Sequence, residues 1–251
     1  MIYLALAAYN EEANIDGLFG AVLETSRQSG LPVRVVIVDD GSKDGTAAKA
    51  ESWKDRLSVK VIRQPNAGFL AALERALRAA LDEAKDGDVC VTMDADNTQP
   101  APLIPQLCRK IEDGSDVVIA SRFEKGGGMI GVPFHRQVMS WGAKAVMQCI
   151  VRIPGVRDYS SGYRAYRVSL LRKAFGAYPK TLLEGRGFSG MAAFLIRLSY
   201  LTDRIAEAPL LLRYDQKIGV SKMNLGQTLR GYGDLIVGRL SGAYRPKEKG
   251  R

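Results

Sequence analysis

The feature that most constrains the fold is the alternation of apolar, strand-like segments with helix-period segments through the first 120 residues. The strand-like segments are continuous apolar or β-branched runs, whereas the helical segments repeat apolar residues every three or four positions. The predicted strands are 3–8, 33–38, 59–63, 89–93 and 117–120. Apolar strands alternating with helices predict an α/β fold, with a mostly parallel central sheet and helices on both faces.

Helix-period segments fill the intervals between these strands. The first repeats apolar residues from Ile15 to Leu23 at spacings of three and four, the pattern of one buried helix face. Further helices are predicted over 46–53, 70–84, 103–111 and 135–151. A last helix carries on one face Leu225, Leu229, Tyr232, Leu235 and Ile236. Beyond about residue 122 the alternation weakens, so the second half gives fewer element boundaries.

Polar and acidic residues directly follow three of the predicted strands. They are Asn10-Glu11-Glu12, Asp39-Asp40-Gly41-Ser42 and Asp94-Ala95-Asp96. Ligands of open, mostly parallel sheets bind at the carboxyl ends of the strands, so these segments form the candidate binding site. The segment 44–46 is interpreted instead as a turn that caps the following helix.

Asp94 and Asp96 are one residue apart at the end of a hydrophobic strand. If that segment stays extended, both side chains point to the same side, because side-chain direction alternates along a strand. Two carboxylates on one side can hold Mg²⁺ or Mn²⁺ while water and substrate phosphates supply the remaining ligands. The alternative interpretation is a solvated acidic turn, and the short pattern alone does not decide between the two.

Composition bears on the other classes of site. Three cysteines, Cys90, Cys108 and Cys149, are far apart and have no histidine cluster nearby, so neither a disulfide framework nor a zinc site is predicted. Residues 216–251 hold eight basic and two acidic side chains and carry +6 of the net charge of +9. This segment is either a solvated terminus or a region that attracts anionic lipid or phosphorylated ligands. Nucleic acid is not a predicted partner, because no recognition motif accompanies the basic residues.

The N-terminal apolar run is interpreted as a strand, because it is short and lacks a basic leader. No stretch of about 18 apolar residues is free of charges. We therefore expect a soluble protein of the reducing cytoplasm, with peripheral contact to the cytoplasmic face of the membrane.

Several motifs in a fixed order give the sequence its resemblance to a known family. They are Ala8-Tyr9-Asn10-Glu11-Glu12, the Val-Asp-Asp-Gly-Ser-x-Asp-Gly-Thr stretch at 38–46, Asn66-Ala67-Gly68, Asp94-Ala95-Asp96, Ala120-Ser121-Arg122-Phe123, Ser161-Gly162-Tyr163-Arg164-Ala165-Tyr166 and Gly219-Val220-Ser221-Lys222. Over residues 2–222 the chain resembles the family 2 inverting glycosyltransferases, and among them the dolichol- or polyprenol-phosphate mannose synthases. The resemblance implies the GT-A nucleotide-diphospho-sugar transferase fold. It also implies transfer of mannose or a similar hexose from a nucleotide diphosphate to polyprenyl or dolichyl phosphate.

The resemblance also implies roles for individual residues. Those implied to bind the nucleotide sugar, either GDP-mannose or a UDP-sugar, are Ala7, Tyr9, Glu11, Val38, Asp40, Asp94 and Ala95. Asp94 and Asp96 would hold Mg²⁺ or Mn²⁺ with the diphosphate, and Gln99 is a further candidate metal ligand. The implied catalytic residues are Asp96, Arg122, Arg164 and Lys222. Their role is to stabilise the charge that builds on the departing diphosphate.

Arg136 and Ser140 are implied to bind the phosphate of the lipid acceptor. They are four residues apart on a predicted helix, so a guanidinium and a hydroxyl share one face and suit a phosphate monoester. The single histidine, His135, stands in no catalytic pattern, and no general base is apparent. A phosphate acceptor is already anionic, so the lack of a base favours it over a hydroxyl acceptor.

Two alternatives stay open. A related transferase would glycosylate a saccharide hydroxyl in polysaccharide or glycolipid synthesis, with a carboxylate such as Glu184 as its base. A nucleotide-sugar-binding protein without turnover would keep the same pocket. The chain departs from the usual pattern of the synthases at Thr98, Gln99, Met191, Ala193 and Gln216.

The resemblance predicts a transferase domain over residues 1–223. Its nucleotide-sugar-binding half is 1–122 and its acceptor half is 123–223. A basic amphipathic helix and tail follow over 224–251.

Overall fold

A computed structural model describes residues 1–185, 189–216, 218 and 225–246 of the chain, with the backbone alone for 225–229. The strands are β1 Ile2–Ala8, β2 Val33–Asp39, β3 Ser58–Arg63, β4 Val89–Thr92, β5 Val117–Ser121, β6 Gly128–Ile130, β7 Arg164–Arg167, β8 Ile205–Pro209 and β9 Leu211–Arg213. The α-helices are α1 Glu12–Ser29, α2 Thr46–Glu51, α3 Phe69–Leu81, α4 Ile104–Glu112, α5 Phe134–Ile150, α6 Val168–Ala177, α7 Ser189–Leu198 and α8 Leu225–Leu240. The five predicted strands are present, with ends shifted by at most one residue.

In the part of the chain that the structure describes, seven strands form the central sheet in the order β3-β2-β1-β4-β7-β5-β8. Only β7 runs antiparallel to its neighbours within this sheet; the other pairings are parallel. The prediction of a mostly parallel sheet is therefore confirmed. Because the six parallel strands share one direction, their carboxyl ends meet at one edge, and β7 brings its amino end to that same edge.

Helices cover both faces of the sheet, because its central strands are apolar on both sides. One hydrophobic cluster joins the sheet to α3, α6 and α7, and includes Leu77, Leu171 and Phe194. The other joins it to α1 and α4, and includes Leu18 and Leu107. The apolar residues that repeat at helical spacing in the sequence thus face these two cores.

Strand β7 has no counterpart in the sequence prediction. It pairs with β4 on one side and β5 on the other, although it begins with the cation Arg164. The Arg164 side chain is fully buried. Its Nη1 donates to the carbonyl of Met191 and its Nη2 to the carbonyl of Tyr159, each at 2.8 Å. These bonds compensate for burying the guanidinium and tie β7 to α7.

Helix α8 turns the described part of its predicted apolar stripe inward. Leu235 is 2% exposed, and Tyr232 and Ile236 are partly buried, so these three residues pack inward. The side chains of Leu225 and Leu229 lie outside the described residues. Residues 219–224 do as well, so the domain boundary near residue 223 stays a prediction. Among the helices that the structure describes, none is long and apolar enough to cross a membrane.

A second, two-stranded parallel sheet pairs β6 with β9. It follows the ends of β5 and β8, and the amide of Gly128 donates to the carbonyl of Leu210 at 2.9 Å. Helix α5 begins shortly after β6. The chain therefore reaches α5 directly from the carboxyl edge of the main sheet.

Gly41 allows the loop after β2 to approach the loop after β3. Its φ is +74°, and a Cβ there would lie 2.8 Å from the amide nitrogen of Asn66. Gly30 has a similar φ of +69°, but among the described atoms nothing lies within 4 Å of a Cβ built there.

We expect Gly30→Ala to lower the free energy of unfolding by ~1 kcal/mol, which is the cost of placing a residue with a side chain in the left-handed backbone region. Gly41→Ala should cost ~2 kcal/mol or more, because the backbone clash adds to it. Urea unfolding measures both, and equal losses would contradict the close approach.

Candidate active site

Three loops at the carboxyl edge of β1, β2 and β3 are bonded to one another. The amide of Asn10 donates to the Ser42 hydroxyl at 2.9 Å, and the amide of Lys43 donates to Oδ1 of Asn10 at 2.8 Å. The amide of Glu11 donates to the Thr46 hydroxyl at 2.8 Å. These bonds fix the segment after β1 against the turn after β2, so the two acidic motifs form one wall.

The residues implied to bind the nucleotide sugar differ in accessibility. Tyr9 and Glu11 are half-buried on this wall, and Ala7 is half-buried at the end of β1. Val38 is fully buried and Ala95 is 3% exposed. Side chains of the last two pack in the core, so contact with a ligand would have to come from their backbone.

The Asp40 carboxylate is engaged by the protein itself. It is 3% exposed. Its Oδ1 accepts from the amide of Ala67 at 2.8 Å and from Nε2 of Gln64 at 2.7 Å, and its Oδ2 accepts from the amide of Gly68 at 2.8 Å. Asp40 therefore holds the loop that leads into α3. A contact of Asp40 with the nucleotide stays a prediction beside this role in the loop.

Asp94 and Asp96 follow β4, but not on an extended segment as predicted. The strand ends at Thr92, and residues 95–97 form a turn in which Asn97 has a φ of +61°. The strand-alternation argument was wrong for this reason. Both carboxylates nevertheless line the same cavity and are half-exposed.

Gln99 and Thr98 orient the two carboxylates. Oε1 of Gln99 accepts from the Asp94 amide at 2.9 Å, and its Nε2 donates to Oδ2 of Asp94 at 2.7 Å. The Thr98 hydroxyl donates to Oδ1 of Asp96 at 2.7 Å. The Gln99 oxygen thus faces an amide, which favours a positioning role for Gln99 over direct ligation of a metal.

The donor set at Asp94 and Asp96 fits a hard divalent cation. Within the described ranges, no cluster of three or more His, Cys, Asp or Glu side chains is close enough to form a metal cage. Mg²⁺ is commonly held by one or two carboxylates with substrate phosphates and water. Gly162 leaves space beside the pair, since a Cβ there would lie 3.3 Å from Oδ1 of Asp94. The residues present suit a metal whose remaining ligands come from a diphosphate.

A cavity of about 190 Å³ joins the carboxylate pair to α5. We call it the central cavity. The described residues that line it are Asp94, Asp96, Thr98, Gln99, Arg122, Met129, Val132, Arg136, Met139, Ser140, Ala143, Ser160, Ser161, Gly162, Leu210, Leu212, Tyr214 and Tyr232. One end is polar and acidic, and the wall formed by α5, β6 and β9 is largely apolar. The structure therefore brings together the residues implied for metal and for acceptor.

Arg122 is held in the central cavity by a buried ion pair. Its Nε donates to Oδ2 of Asp158 at 2.8 Å and its Nη2 to Oδ1 at 2.7 Å, while Nη2 also donates to the Ser160 hydroxyl at 2.7 Å. Burial opposes ionisation of Asp158, but the Arg122 charge and the bonds from Arg122 and Ser161 outweigh it and lower the pKa of Asp158. Nη1 of Arg122 is not used by Asp158 or Ser160. Nη1 is therefore the nitrogen for which the bonds to Asp158 and Ser160 leave a ligand contact open.

Arg136 and Ser140 both line the central cavity from α5. Nη1 of Arg136 donates to the hydroxyl of Tyr214 at 2.9 Å. The ring of Tyr214 lies 5.9 Å from the guanidinium carbon. The predicted pairing of these two residues on one helix face is thus present, and Tyr214 orients the cation.

Of the other two implied cations, the structure places Arg164 away from the central cavity and does not describe Lys222. Arg164 is absent from the described lining and is engaged by backbone carbonyls within the core, which gives no support to a phosphate contact. Lys222 lies outside the described residues. His135 is exposed on α5 and also absent from the described lining.

The candidate base of the alternative function lies elsewhere. Glu184 lines a separate cavity with Ser189, Asp234 and Tyr244. Among the described residues that line the central cavity, the carboxylates are Asp94 and Asp96 alone. Glu184 is therefore not among the described residues that line the central cavity.

Sequence reasoning missed Asp158, Tyr214 and Tyr232 as members of this site. Asp158 opens the polar segment that precedes β7, and its burial was not visible from that segment's composition. Tyr214 and Tyr232 come from distant parts of the chain. Their proximity depends on the packing of β9 and α8, for which the sequence gives no spacing signal.

Comparison with known proteins identifies similar families and folds. The model of glycosyl transferase family 2 matches residues 3–175. A dolichol-phosphate mannosyltransferase from Pyrococcus furiosus is 33% identical over 83% of this chain, which spans 55% of that protein. A polyprenol monophosphomannose synthase from Mycolicibacterium smegmatis is 29% identical over 90% of this chain and 81% of its own length. An undecaprenyl-phosphate mannosyltransferase from Micrococcus luteus is 30% identical over 88% and 86%, respectively.

Solved structures confirm the fold class. Glucosyl-3-phosphoglycerate synthase from Mycobacterium tuberculosis, in complex with Mn²⁺ and UDP-glucose, superposes with a TM-score of 0.65 at 20% identity. The match covers 99% of this chain and 80% of that one. Staphylococcus aureus TarS residues 1–349 give a TM-score of 0.54 at 19% identity, covering 83% and 59%. At these identities the likeness concerns the fold alone.

We expect Asp158→Asn to lower the free energy of unfolding by ~3 kcal/mol, because it leaves a buried cation without its counter-charge. The loss of unfolding free energy should lie at the low end of the range for buried ion pairs, because the Arg122 side chain is 14% exposed. Arg122→Gln removes the other partner, and the double variant should be more stable than the two single losses predict, by at least about 1 kcal/mol. Urea unfolding of all four proteins measures this coupling. Additive losses would show that the pair is not a unit.

Proposed function

The chain belongs to glycosyl transferase family 2, and from this membership we propose that it transfers a hexose from a nucleotide diphosphate sugar to a polyprenyl or dolichyl phosphate. Three relatives whose names specify lipid-phosphate mannosyl transfer support this choice of acceptor. The same names favour mannose as the sugar, with GDP-mannose as the first donor to test and UDP-sugars as the alternative. The proposed site of action is the cytoplasmic face of a membrane.

The observation that carries this proposal is the composition of the central cavity. Asp94 and Asp96 lie at one end of it, and Arg136 and Ser140 lie on its α5 wall. The first pair suits a metal diphosphate and the second suits a phosphate monoester. An apolar wall beside them suits the first isoprene units of a lipid. No hydroxyl acceptor explains this combination equally well.

The proposed mechanism needs no general base. The acceptor phosphate carries the nucleophilic oxygen as an anion, held by the Arg136 guanidinium and the Ser140 hydroxyl. That oxygen attacks the anomeric carbon from the side opposite the leaving diphosphate, so the bond to the diphosphate breaks with inversion. A divalent cation, Mg²⁺ or Mn²⁺, would neutralise charge on the leaving group when bound at Asp94 and Asp96.

We propose Arg122 as the cation that meets the departing diphosphate, because it lines the central cavity together with Asp94 and Asp96. Asp158 balances much of its charge, so we propose that it acts as an oriented hydrogen-bond donor through Nη1. Lys222 keeps its proposed role as a second phosphate contact on the basis of its motif. For Arg164 we propose a positioning role instead, because its donors hold the segment before β7 and α7.

Saccharide glycosylation is the less supported function. It would need a base near the acceptor hydroxyl, and its candidate Glu184 lines a different cavity. A binding protein without turnover is also less supported, because such a protein has no use for acceptor ligands beside a metal pair. Release of nucleoside diphosphate during incubation with donor and polyprenyl phosphate separates these cases.

We expect Asp96→Ala to reduce transfer at least ~100-fold, because electrostatic stabilisation of the leaving group is lost. The variant should also lose the rise in melting temperature that nucleoside diphosphate and Mn²⁺ give the native protein. Asp55→Ala, at an exposed position away from the cavity, is the matched control. Metal-dependent transfer at the native rate in Asp96→Ala would remove Asp96 from the site.

We expect Arg136→Ala to bind donor with native affinity but to lose transfer to polyprenyl phosphate by ~100-fold or more, because a charge-assisted pair with phosphate is removed. Donor titration and label transfer into lipid measure the two effects separately. Arg109→Ala, at an exposed site on α4, controls for loss of one positive charge. Full lipid-phosphate activity in Arg136→Ala would overturn the acceptor assignment.

A further inference from the structure

Helix α5 exposes an apolar face that the described structure covers only in part, where the Phe123 ring lies 5.0 Å from that of Trp141. Of its seventeen residues only Met147 is buried. Phe134 is 79% exposed, Trp141 54% and Val138 53%. The exposed positions of α5, all of which are described, are Phe134, His135, Val138, Trp141, Gly142, Ala145, Val146 and Cys149. None of them is Asp, Glu, Lys or Arg.

The outward face of α5 is apolar, whereas the outward face of a helix in contact with water is usually charged. A surface helix normally turns its apolar stripe to the core and its charged residues to solvent. The two charged residues of α5, Arg136 and Lys144, are instead only partly exposed. Ile130 of β6 and Leu211 of β9, at 41% and 45% exposure, add further apolar surface on the small sheet from which α5 departs. An exposed apolar helix face of this kind marks a surface with a partner.

The opposite face of α5 forms a wall of the central cavity. Arg136, Met139, Ser140 and Ala143 line that cavity, whereas Val138, Trp141 and Val146 do not. One helix of 17 residues thus separates the proposed acceptor site from the apolar patch. An α-helix is about 10 Å across with its side chains, so whatever covers the patch lies within that distance of the acceptor site.

We propose that the outward face of α5 docks onto the surface of a lipid bilayer and lies in the interface beside the acceptor phosphate. The proposal rests on the proposed function, because a lipid-borne phosphate is the substrate that a bilayer delivers at this place. Amphipathic helices bind interfaces through a buried apolar face, and tryptophan is favoured at that depth.

Charges around the patch favour an anionic membrane as the occupant. The ammonium of Lys144 lies 4.7 Å from the Trp141 ring centroid, at the edge of the patch. Lys125 and Arg152, before and after α5 in the chain, are exposed. Cations at the rim of an apolar face attract acidic headgroups while the apolar side chains enter the acyl boundary. A second protein copy would gain less from such a rim.

Helix α8, the basic amphipathic helix of the sequence analysis, is less suited to membrane contact. Leu235 and Tyr232 face inward, and the exposed positions of α8 include the charged Arg230 and Asp234. Val237 is nevertheless 67% exposed. Substitution of Val237 therefore distinguishes docking through α8 from docking through α5.

The first experiment measures sedimentation of the full chain with vesicles of phosphatidylglycerol and phosphatidylcholine. Val138→Glu should weaken vesicle binding at least ~10-fold, because it removes one buried apolar side chain and adds a charge at the interface. Ala71→Glu, exposed on α3, makes the same charge change elsewhere and should bind like the native protein. Native binding by Val138→Glu, or an equal loss in Val237→Glu, would overturn the assignment to α5.

A second measurement uses the two tryptophans of the chain. Trp53 is 6% exposed and packed in the core, whereas Trp141 lies on the patch. Vesicles with brominated acyl chains should quench part of the emission, and Trp141→Phe should abolish that quenching. Unquenched emission from vesicle-bound native protein would exclude insertion of this face.

A third measurement separates failure of the docking surface from failure of the proposed function. Val138→Glu should transfer sugar to a short, water-soluble polyprenyl phosphate at the native rate, and at least ~10-fold more slowly to a long one embedded in vesicles. If the native protein binds vesicles through α5 but transfers sugar to neither acceptor, the docking surface is supported and the proposed acceptor is refuted. If Val138→Glu converts a dimer into a monomer in sedimentation velocity without changing vesicle binding, the patch is a contact between copies instead.

Discussion

Strand β7 is the constraint on which the site depends. It is antiparallel to β4 and β5, and pairing with both places it in the middle of the sheet. Its reversed direction delivers residues 158–162 to the edge where the parallel strands end. The Thr92 hydroxyl donates to the Gly162 carbonyl at 2.7 Å, which fixes this segment beside the carboxylate pair. Strand β7 thus helps to hold the segment from which Asp158 binds Arg122, together with Glu207 of β8, whose Oε1 accepts from the Asp158 amide at 2.7 Å.

Much of the fold was predictable because the first half of the chain repeats a simple physical pattern. The five apolar strands and the helices between them follow from hydrophobic period alone. Strand β7 was not predictable, since Arg164-Ala165-Tyr166-Arg167 reads as polar. Its burial is possible only because carbonyls of Tyr159 and Met191, far apart in sequence, accept from the Arg164 guanidinium. The order of residue types along a short segment does not show which distant carbonyls will accept hydrogen bonds from it.

The site was partly predictable for a related reason. Sheet geometry places the residues after β1, β2 and β4 at one edge, and a four-residue helical spacing places Arg136 and Ser140 together. Hydrogen-bond assignments were beyond the sequence. Asp40, expected at the ligand, bonds to the loop before α3, and Gln99, considered as a metal ligand, bonds to Asp94 at both ends of its amide. Carboxylates that look equivalent in the sequence therefore have different hydrogen-bond partners in the structure. The roles of all these residues stay predictions.

The scarcity of buried residues in α5 has a thermodynamic consequence. With Met147 as its one buried residue, α5 owes little of its position to the core. An external surface that orders it also lowers the cost of ordering Arg136 and Ser140 around a phosphate, and coupling between two binding events is reciprocal. Binding of the acceptor would then raise the affinity of the protein for the membrane, and binding to the membrane would raise its affinity for the acceptor by the same factor. Residence time on a bilayer would rise with the density of phosphate acceptor within it, so the enzyme would collect where its substrate is abundant.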